Sequence, residues 1–450
     1  MNRRRFIARG ILSAGALVLP GSISKLPYFS KKPEVIVMGA GLAGLAAAYA
    51  LKKKGIKVTV IESRNRIGGR VCSYPVSADL TIELGGEWVG SSHTRIQELC
   101  SIFGLKLENN QMDTHLIYKG VYSPSGSWDY SADWKQRFKK IIKDYPRLTV
   151  TDKQKLDQYD WWRFLVNNGC SGRDLDLREL LDSTDFGESI RQVSAFAALA
   201  EYAESSEKNE MDLKIKGGNA LLAKKMLESI GPENVLLNHH AVRVIQKNRT
   251  EIQCLNGRVI TGDKIICALP TFSVQQIDWQ PALPQAMVAA LNALQYARIN
   301  KHALHFSERF WKEEAFDLVT DQAPHYFYHA TKNQSSAEGV LIAYSVGDKA
   351  ASNANQTNAF LANDVLRCLQ AGFGNIGALL KNQVNYYWGN DACSYGAYAI
   401  YKPGQWFGVQ PELKKPFLNV YFAGEHLADW QGFMEGAIES GTAAAGTIAG

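Results

Sequence analysis

The run from Glu34 to Arg70 constrains this chain more than any other. Val35-Ile36-Val37-Met38 reads as a short buried strand. Gly39-Ala40-Gly41-Leu42-Ala43-Gly44 reads as a glycine turn opening an apolar helix, and Val58-Thr59-Val60-Ile61-Glu62 as a second strand ending on an acid. Gly39 permits the tight turn, Gly41 lets backbone N–H groups approach a pyrophosphate, and Gly44 lets the helix pack closely on the sheet. The helix N-terminus adds free N–H donors and the positive end of its dipole. Glu62 stands where a carboxylate can accept both hydroxyls of a ribose. Six residues of this kind are a weak signal alone. With strand, helix and acid all in place they specify a dinucleotide site rather than a chance glycine turn in another α/β fold.

The next residues say which dinucleotide. Ser63-Arg64-Asn65-Arg66-Ile67-Gly68-Gly69-Arg70 follows Glu62, and a nicotinamide enzyme has no use for such a Gly-Gly-Arg. The whole run resembles the FAD-binding start of the flavin amine oxidase family. In that family the arginine matching Arg70 lies against the FAD pyrophosphate, and a guanidinium suits a diphosphate by its bidentate geometry. The resemblance also places Arg64 and Gly69 at the cofactor.

Composition excludes several other classes. The 450 residues are 46% hydrophobic and 21% charged, ordinary for a large globular chain with room for two domains. The formal net charge is +6, but residues 1–32 hold seven basic residues and no acid, so the body of the chain is not basic. Nucleic acid is therefore not an expected partner. Asn2-Arg3-Arg4-Arg5-Phe6-Ile7, with an apolar stretch from Gly10 to Leu19 behind it, resembles a bacterial twin-arginine export signal. That apolar stretch is too short to span a bilayer as a mature helix. The export pathway carries folded, cofactor-loaded proteins, so the expected location is periplasmic or otherwise exported. The seven cysteines are scattered and odd in number with no CxxC, and the histidines show no close metal-ligand spacing. Neither a disulfide framework nor a metal site is expected.

Leu84-Gly85-Gly86-Glu87-Trp88-Val89-Gly90 is a glycine loop that suits backbone passing close to a planar ligand. In the resembled family it runs beside the flavin, which implicates Gly86, Glu87 and Trp88. Glu87 departs from the residues that the polyamine-oxidising and amino-acid-oxidising branches carry there, so substrate class does not transfer from this loop. From about Gln111 to Lys214 the α/β rhythm gives way to helical spacing. Trp134, Phe138, Ile141, Ile142 and Tyr145 line one face, with Lys135, Arg137, Lys139, Lys140 and Lys143 on the other, either a solvated face or a membrane-surface contact. A further helix is expected over Ile190–Glu201.

Short strands are expected over Val235–Leu237, Ala241–Lys247, Glu251–Leu255 and Val259–Ala268, and the resemblance implies that Val242 touches the adenine. Ala297–Phe306 reads as a strand with Lys301 inside a largely apolar run, where a charge is costly unless it faces a polar site. A lysine there, with Phe310-Trp311 after it, holds a water against the flavin in the resembled family. The last seventy residues carry Trp388, Ser394-Tyr395-Gly396-Ala397-Tyr398, Ala423-Gly424-Glu425-His426 and Trp430-Gln431-Gly432-Phe433-Met434-Glu435-Gly436. This is similar to the FAD-closing motif of monoamine oxidases. It implicates Trp388, Gly424, Glu425 and Met434 in cofactor binding, and Tyr398 with Phe433 as an aromatic pair that sandwiches the amine. Ala397 stands where mitochondrial monoamine oxidases have the cysteine that bonds FAD, so the resemblance implies non-covalent FAD.

The expected fold is an α/β, two-domain FAD-dependent oxidase. Its FAD domain is Rossmann-type and discontinuous, over 33–95, 215–290 and 385–450. Its substrate domain, a mixed sheet with helices, spans 96–214 and 291–384, and residues 1–32 form the signal and linker. The expected activity is oxidative deamination of a small-molecule amine, with oxygen reduced to peroxide. An L-amino-acid oxidase is the alternative and needs a pocket arginine for the carboxylate, for which Arg95, Arg191 and Arg298 are candidates. A flavin-loaded protein without turnover is a third reading, against which Lys301 and the aromatic pair argue. The oligomeric state stays open, a homodimer among the options.

Overall fold

The computed structural model describes residues 32–206 and 209–450, so the N-terminal export signal lies outside the described residues. Strand β1 (Glu34–Met38), helix α1 (Leu42–Lys53) and strand β2 (Lys57–Ile61) form where the glycine motif requires them. β1 is the centre of a five-stranded parallel sheet. Lys264–Cys267 and then Val420–Phe422 lie on one side of it, and β2 and then Val235–Leu236 on the other. Parallel strands buried on both faces read as continuous apolar runs, as Val35–Met38 and Ile265–Cys267 do.

The glycines act as close-packing points. Gly39 has φ +98°, which a residue with a side chain rarely adopts, and a Cβ at Gly44 would sit 1.9 Å from the Gly39 carbonyl oxygen. The C-terminal helix Met434–Ala449 crosses α1 so closely that a Cβ at Gly441 would lie 2.0 Å from the Ala43 carbonyl oxygen. Two segments nearly four hundred residues apart in the chain thus meet at the motif.

A four-stranded sheet (Ala241–Gln246, Thr250–Cys254, Val259–Gly262, Asp278–Gln280) flanks the parallel one. A seven-stranded mixed sheet carries Ile299–Phe306 between Leu380–Tyr387 and Gly339–Val346, continues through Tyr326–His329 and Phe316–Thr320, and ends on Asp113–Tyr118 and Val121–Ser123. That last pair lies in a stretch expected to be helical. Asp113–Tyr118 instead pairs in parallel with Phe316–Thr320, and its partner lies some two hundred residues away, beyond any local signal.

The helices of the middle region follow. Ala132–Asp144 buries Trp134, while on its outer face Lys135 pairs with Asp129, Arg137 with Asp133 and Lys140 with Asp144. Acids beside the lysines make this a solvated face rather than a cationic one. The helix expected over Ile190–Glu201 is divided. A single turn spans Ile190–Gln192, and the helix proper runs Ala195–Glu204. Ser194 breaks it, since its side chain accepts from the Ala197 N–H at 3.3 Å and its own N–H donates to the Tyr401 carbonyl at 2.7 Å. Among the described residues no helix is long and apolar enough to cross a membrane.

Candidate active site

An open cavity runs from the glycine turn to the C-terminal helix. Gly39, Gly41, Leu42, Ala43, Glu62, Arg64, Gly69 and Arg70 line its first part. Ala40 and Gly44 stand behind this wall. Glu62 Oε2 accepts the Ala40 N–H at 2.8 Å and Oε1 the Arg64 N–H at 2.9 Å, so the acid is fixed at the mouth of the turn. Gly68 and Gly69, both at positive φ, pack against the glycine turn. Gly68 donates to the Ala40 carbonyl at 2.8 Å, and a Cβ at Gly69 would meet the Gly41 Cα at 3.1 Å. They are the second layer of the turn.

The two arginines are engaged differently. Arg64 donates to Asp391 and, at 2.7 Å, to the Ser394 hydroxyl, clamping the end of β2 to the loop after Trp388. Arg70 pairs with the buried Glu425 at 2.7 Å and lies over the Tyr296 ring at 5.1 Å. It keeps 21% of its side-chain surface open because it lines the cavity. Burial opposes ionisation of Glu425, but the Arg70 guanidinium outweighs it and holds the carboxyl below the usual range. Glu425 also accepts the Ala399 N–H at 3.1 Å and the Gly432 N–H at 2.8 Å. It thereby ties Arg70 to the neighbours of both Tyr398 and Phe433. Val242 is half-buried and is not among the residues lining the cavity. It sits at the register shift between Ala241 and Arg243, and Ala241, His239 and His240 line the wall there.

The loop Glu83–Trp88 forms another wall, and buried side chains take five successive carbonyls of it. Lys301 donates to Glu83 O at 3.0 Å and Gly85 O at 2.8 Å, the Trp388 indole to Leu84 O at 2.7 Å, and Asn219 to Gly86 O at 3.1 Å and Glu87 O at 2.7 Å. The third Lys301 bond goes to Glu87 Oε2 at 3.1 Å. Lys301 is the buried, polar-facing lysine that the apolar strand around it demanded, and burial lowers its affinity for the proton, with Glu87 offsetting this in part.

Tyr398 and Phe433 both line the far end with Trp88, Tyr344, Asp185 and Glu201. The Tyr398 hydroxyl donates to the Asp185 carbonyl and is hydrogen-bonded to Tyr344, so the ring is held at its tip. Phe433 stands edge-on to His93 and Trp430, with centroids 5.0 and 5.8 Å away. Asp185, which accepts from the Tyr202 hydroxyl at 2.7 Å, has its carboxyl pushed up to about 7 by burial. Ala397 and Cys393 are both on the wall, and burial raises the Cys393 thiol and so weakens it as a nucleophile.

The residues fit an FAD. Trp88 Nε1, His426 Nδ1 and Gln431 Oε1 are buried polar atoms without a protein partner, on residues lining this cavity. The C-terminal helix begins at Met434 with no side chain capping it, so its N–H groups remain for a ligand. Its first acid, Glu435, is turned away to accept the N–H groups of Arg95 and Ile96.

Sequence reasoning missed Asn219, Lys214, Tyr328, Tyr344, Asp185 and Gln431. Asn219 had a signal in the Gly217-Gly218-Asn219 run, but its side chain does not cap the helix it precedes and holds the Glu83–Trp88 loop instead. The proposed carboxylate-binding arginines lie off the cavity. Arg95 pairs with Glu98 on the surface, Arg191 lies over Trp162 at 3.7 Å, and Arg298 is clamped by Glu188 and Asp348.

Comparison with known proteins gives the same picture. A family profile described as flavin containing amine oxidoreductase matches residues 42–449. The L-amino acid oxidase bordonein-L of Crotalus durissus terrificus is 27% identical over 93% of this chain and 87% of its own length. A probable flavin-containing monoamine oxidase A of Dictyostelium discoideum is 24% identical over 91% of this chain and 95% of its own. Among solved structures, cyclohexylamine oxidase from Brevibacterium oxydans IH-35A superposes with a TM-score of 0.82 at 23% identity, covering 93% of this chain and 99% of that one. Wild-type putrescine oxidase bound to putrescine gives 0.83 at 21% identity, with 93% and 99% covered. A parallel sheet built on a dinucleotide turn, a cradle suited to FAD and a match along nearly the whole chain make this an FAD-dependent, amine-oxidising enzyme, and the chain belongs to the flavin-containing amine oxidoreductase family.

Proposed function

We propose that the substrate is a small amine without a carboxylate, deaminated to the aldehyde level. One observation carries this. The cavity's lysine and arginines (Arg64, Arg70 and Lys301) are each already engaged by carboxylates, while its far end presents aromatic rings with Asp185 and Glu201. Such a wall receives an amine between aromatic faces and offers a carboxylate no free cation among the described residues. Tyr398 and Phe433 orient the amine between their faces and restrict the poses in which its α-carbon misses the ring. Bound flavin supplies the acceptor for the α-hydride and returns the electrons to oxygen as peroxide. Lys301 supplies a positive charge beside that ring and, in this reading, orders the water next to it. The L-amino-acid reading is favoured by relatives of that name, such as bordonein-L. Peroxide release over a panel of amines and L-amino acids separates the two. Turnover of monoamines or diamines alone is expected, and turnover of amino acids alone would reverse the assignment.

We also propose that the protein is exported folded by the twin-arginine route, on the strength of Arg3-Arg4 and the apolar stretch behind them.

A further inference from the structure

The wall that carries Lys301 holds a second buried lysine. Lys214 lies on the short strand Leu213–Ile215, outside every glycine motif, with 12% of its side chain exposed. It reaches Glu87 Oε1 at 3.0 Å and the Ala330 carbonyl at 3.2 Å. Lys301 holds the other oxygen, Glu87 Oε2, at 3.1 Å, and the Tyr328 hydroxyl donates to that same oxygen at 2.5 Å. One carboxylate therefore stands between two ammonium groups, only one of which faces the cavity.

The charges do not cancel. Glu87 is held below the usual carboxylate range although burial opposes it, because Lys214 and Lys301 flank it. Lys214 is raised despite burial, by Glu87 and then Glu83. Glu83, a second acid packed into the group, is pushed up to about 7 by burial, and its Oε2 has no hydrogen-bond partner. It carries its proton below about pH 7 and loses it above. Glu108, which also faces Lys214, is engaged by Lys216 at 2.7 Å. With two ammonium groups on one carboxylate, the group carries a surplus positive charge below about pH 7, buried where it is weakly screened. Burial weakens Lys301's hold on its proton, and Glu87 counters part of this.

We propose that Lys214 is a positioning residue for the redox step. By sharing Glu87 with Lys301 it supplies the surplus positive charge behind the cavity wall, and this raises the reduction potential of the bound flavin. The inference rests on the placement of Lys301 beside the flavin ring given under the proposed function. Positive charge near the ring favours the electron-rich, reduced cofactor. A network that only braced the loop would alter stability and FAD retention but leave the potential alone.

The test is a dye-equilibrated redox titration of FAD-loaded protein. In Lys214→Met the reduction equilibrium should fall about tenfold, a drop of about 30 mV for a two-electron couple, while the visible flavin spectrum persists. Lys214→Arg, which keeps the charge, should restore it. If the Met variant does not fold, Lys214→Gln removes the charge and keeps a donor for Glu87, and the same drop is expected. A wild-type potential in a folded, loaded Lys214→Met or Lys214→Gln protein overturns the inference. Lys301→Met separates the two levels. If it lowers the potential while the Lys214 variants do not, only this inference fails. If it leaves the potential unchanged, the placement of Lys301 fails and the inference with it.

Discussion

At the scale of single residues, the site is a set of charges held by named partners, and deletions should separate by the partner each one loses. Arg70→Ala leaves Glu425 buried and unpaired, which costs up to about 3–5 kcal/mol and should lower the melting temperature as well as FAD retention. Adding Glu425→Gln should recover much of the stability but not the retention, since the guanidinium for the pyrophosphate is still missing. A double variant that binds FAD normally would remove Arg70 from the cradle. Glu62→Ala loses only charged hydrogen bonds, on the order of 1.5–3 kcal/mol, and equilibrium dialysis should show the smaller loss of FAD. Lys301→Met and Tyr398→Ala should affect different half-reactions. The first slows reoxidation by oxygen, because the charge beside the ring is gone. The second slows anaerobic reduction by amine, because a wall that orients the substrate is gone. Stopped-flow absorbance follows each half-reaction, and a wild-type rate in the named half refutes that residue's role. FAD should also leave with the supernatant when the protein is acid-precipitated, since Ala397 offers no sulfur and burial holds the Cys393 thiol protonated.

At the scale of elements, the readable parts of the chain were those whose physics is local. The strand-turn-helix at Glu34–Lys53 announces itself through glycines that no other residue can replace. Lys301 announces itself as a charge in an apolar strand. Asp113–Tyr118 gave no sign, because its hydrogen bonds go to Phe316–Thr320 and its alternation resembles that of any short segment. Lys214 was silent for a related reason: in Leu213-Lys214-Ile215 it reads as the solvent face of a strand, and only the tertiary fold turns it inward. The helix crossing offers a sharp test. Gly441→Ala puts a methyl into the Ala43 carbonyl, a backbone atom that cannot swing aside. A loss of about 1–3 kcal/mol is expected by thermal melting, together with weaker FAD retention because Ala43 lines the cavity. Gly446, whose added Cβ would meet nothing, is the control on the same helix. Equal effects at both positions would show that helix propensity rather than close contact sets the loss.

At the scale of the whole molecule, buried carboxylates of two kinds oppose one another. Glu87 and Glu425 have lowered affinities for the proton, so their stabilisation is present above the ordinary carboxylate range and fades as pH falls through their folded values. Asp185 and Glu83 are raised to about 7, so theirs is present below that range and fades as pH rises toward about 7. Asp185→Asn should therefore raise the melting temperature more on the alkaline side of neutrality than on the acid side, and the reverse ordering would contradict the raised carboxyl. Replacing Arg3 and Arg4 together by lysine should leave a folded, FAD-loaded protein on the cytoplasmic side, as cell fractionation would show, and undiminished export would refute the signal. The close seam between α1 and the C-terminal helix has a consequence in time. Ribosomes make the glycine turn nearly four hundred residues before the helix that closes over it. Throughout that interval the nascent chain holds half a cradle. Cofactor capture is thus deferred until the second half is made, and a bound flavin becomes a mark that both halves are present and joined.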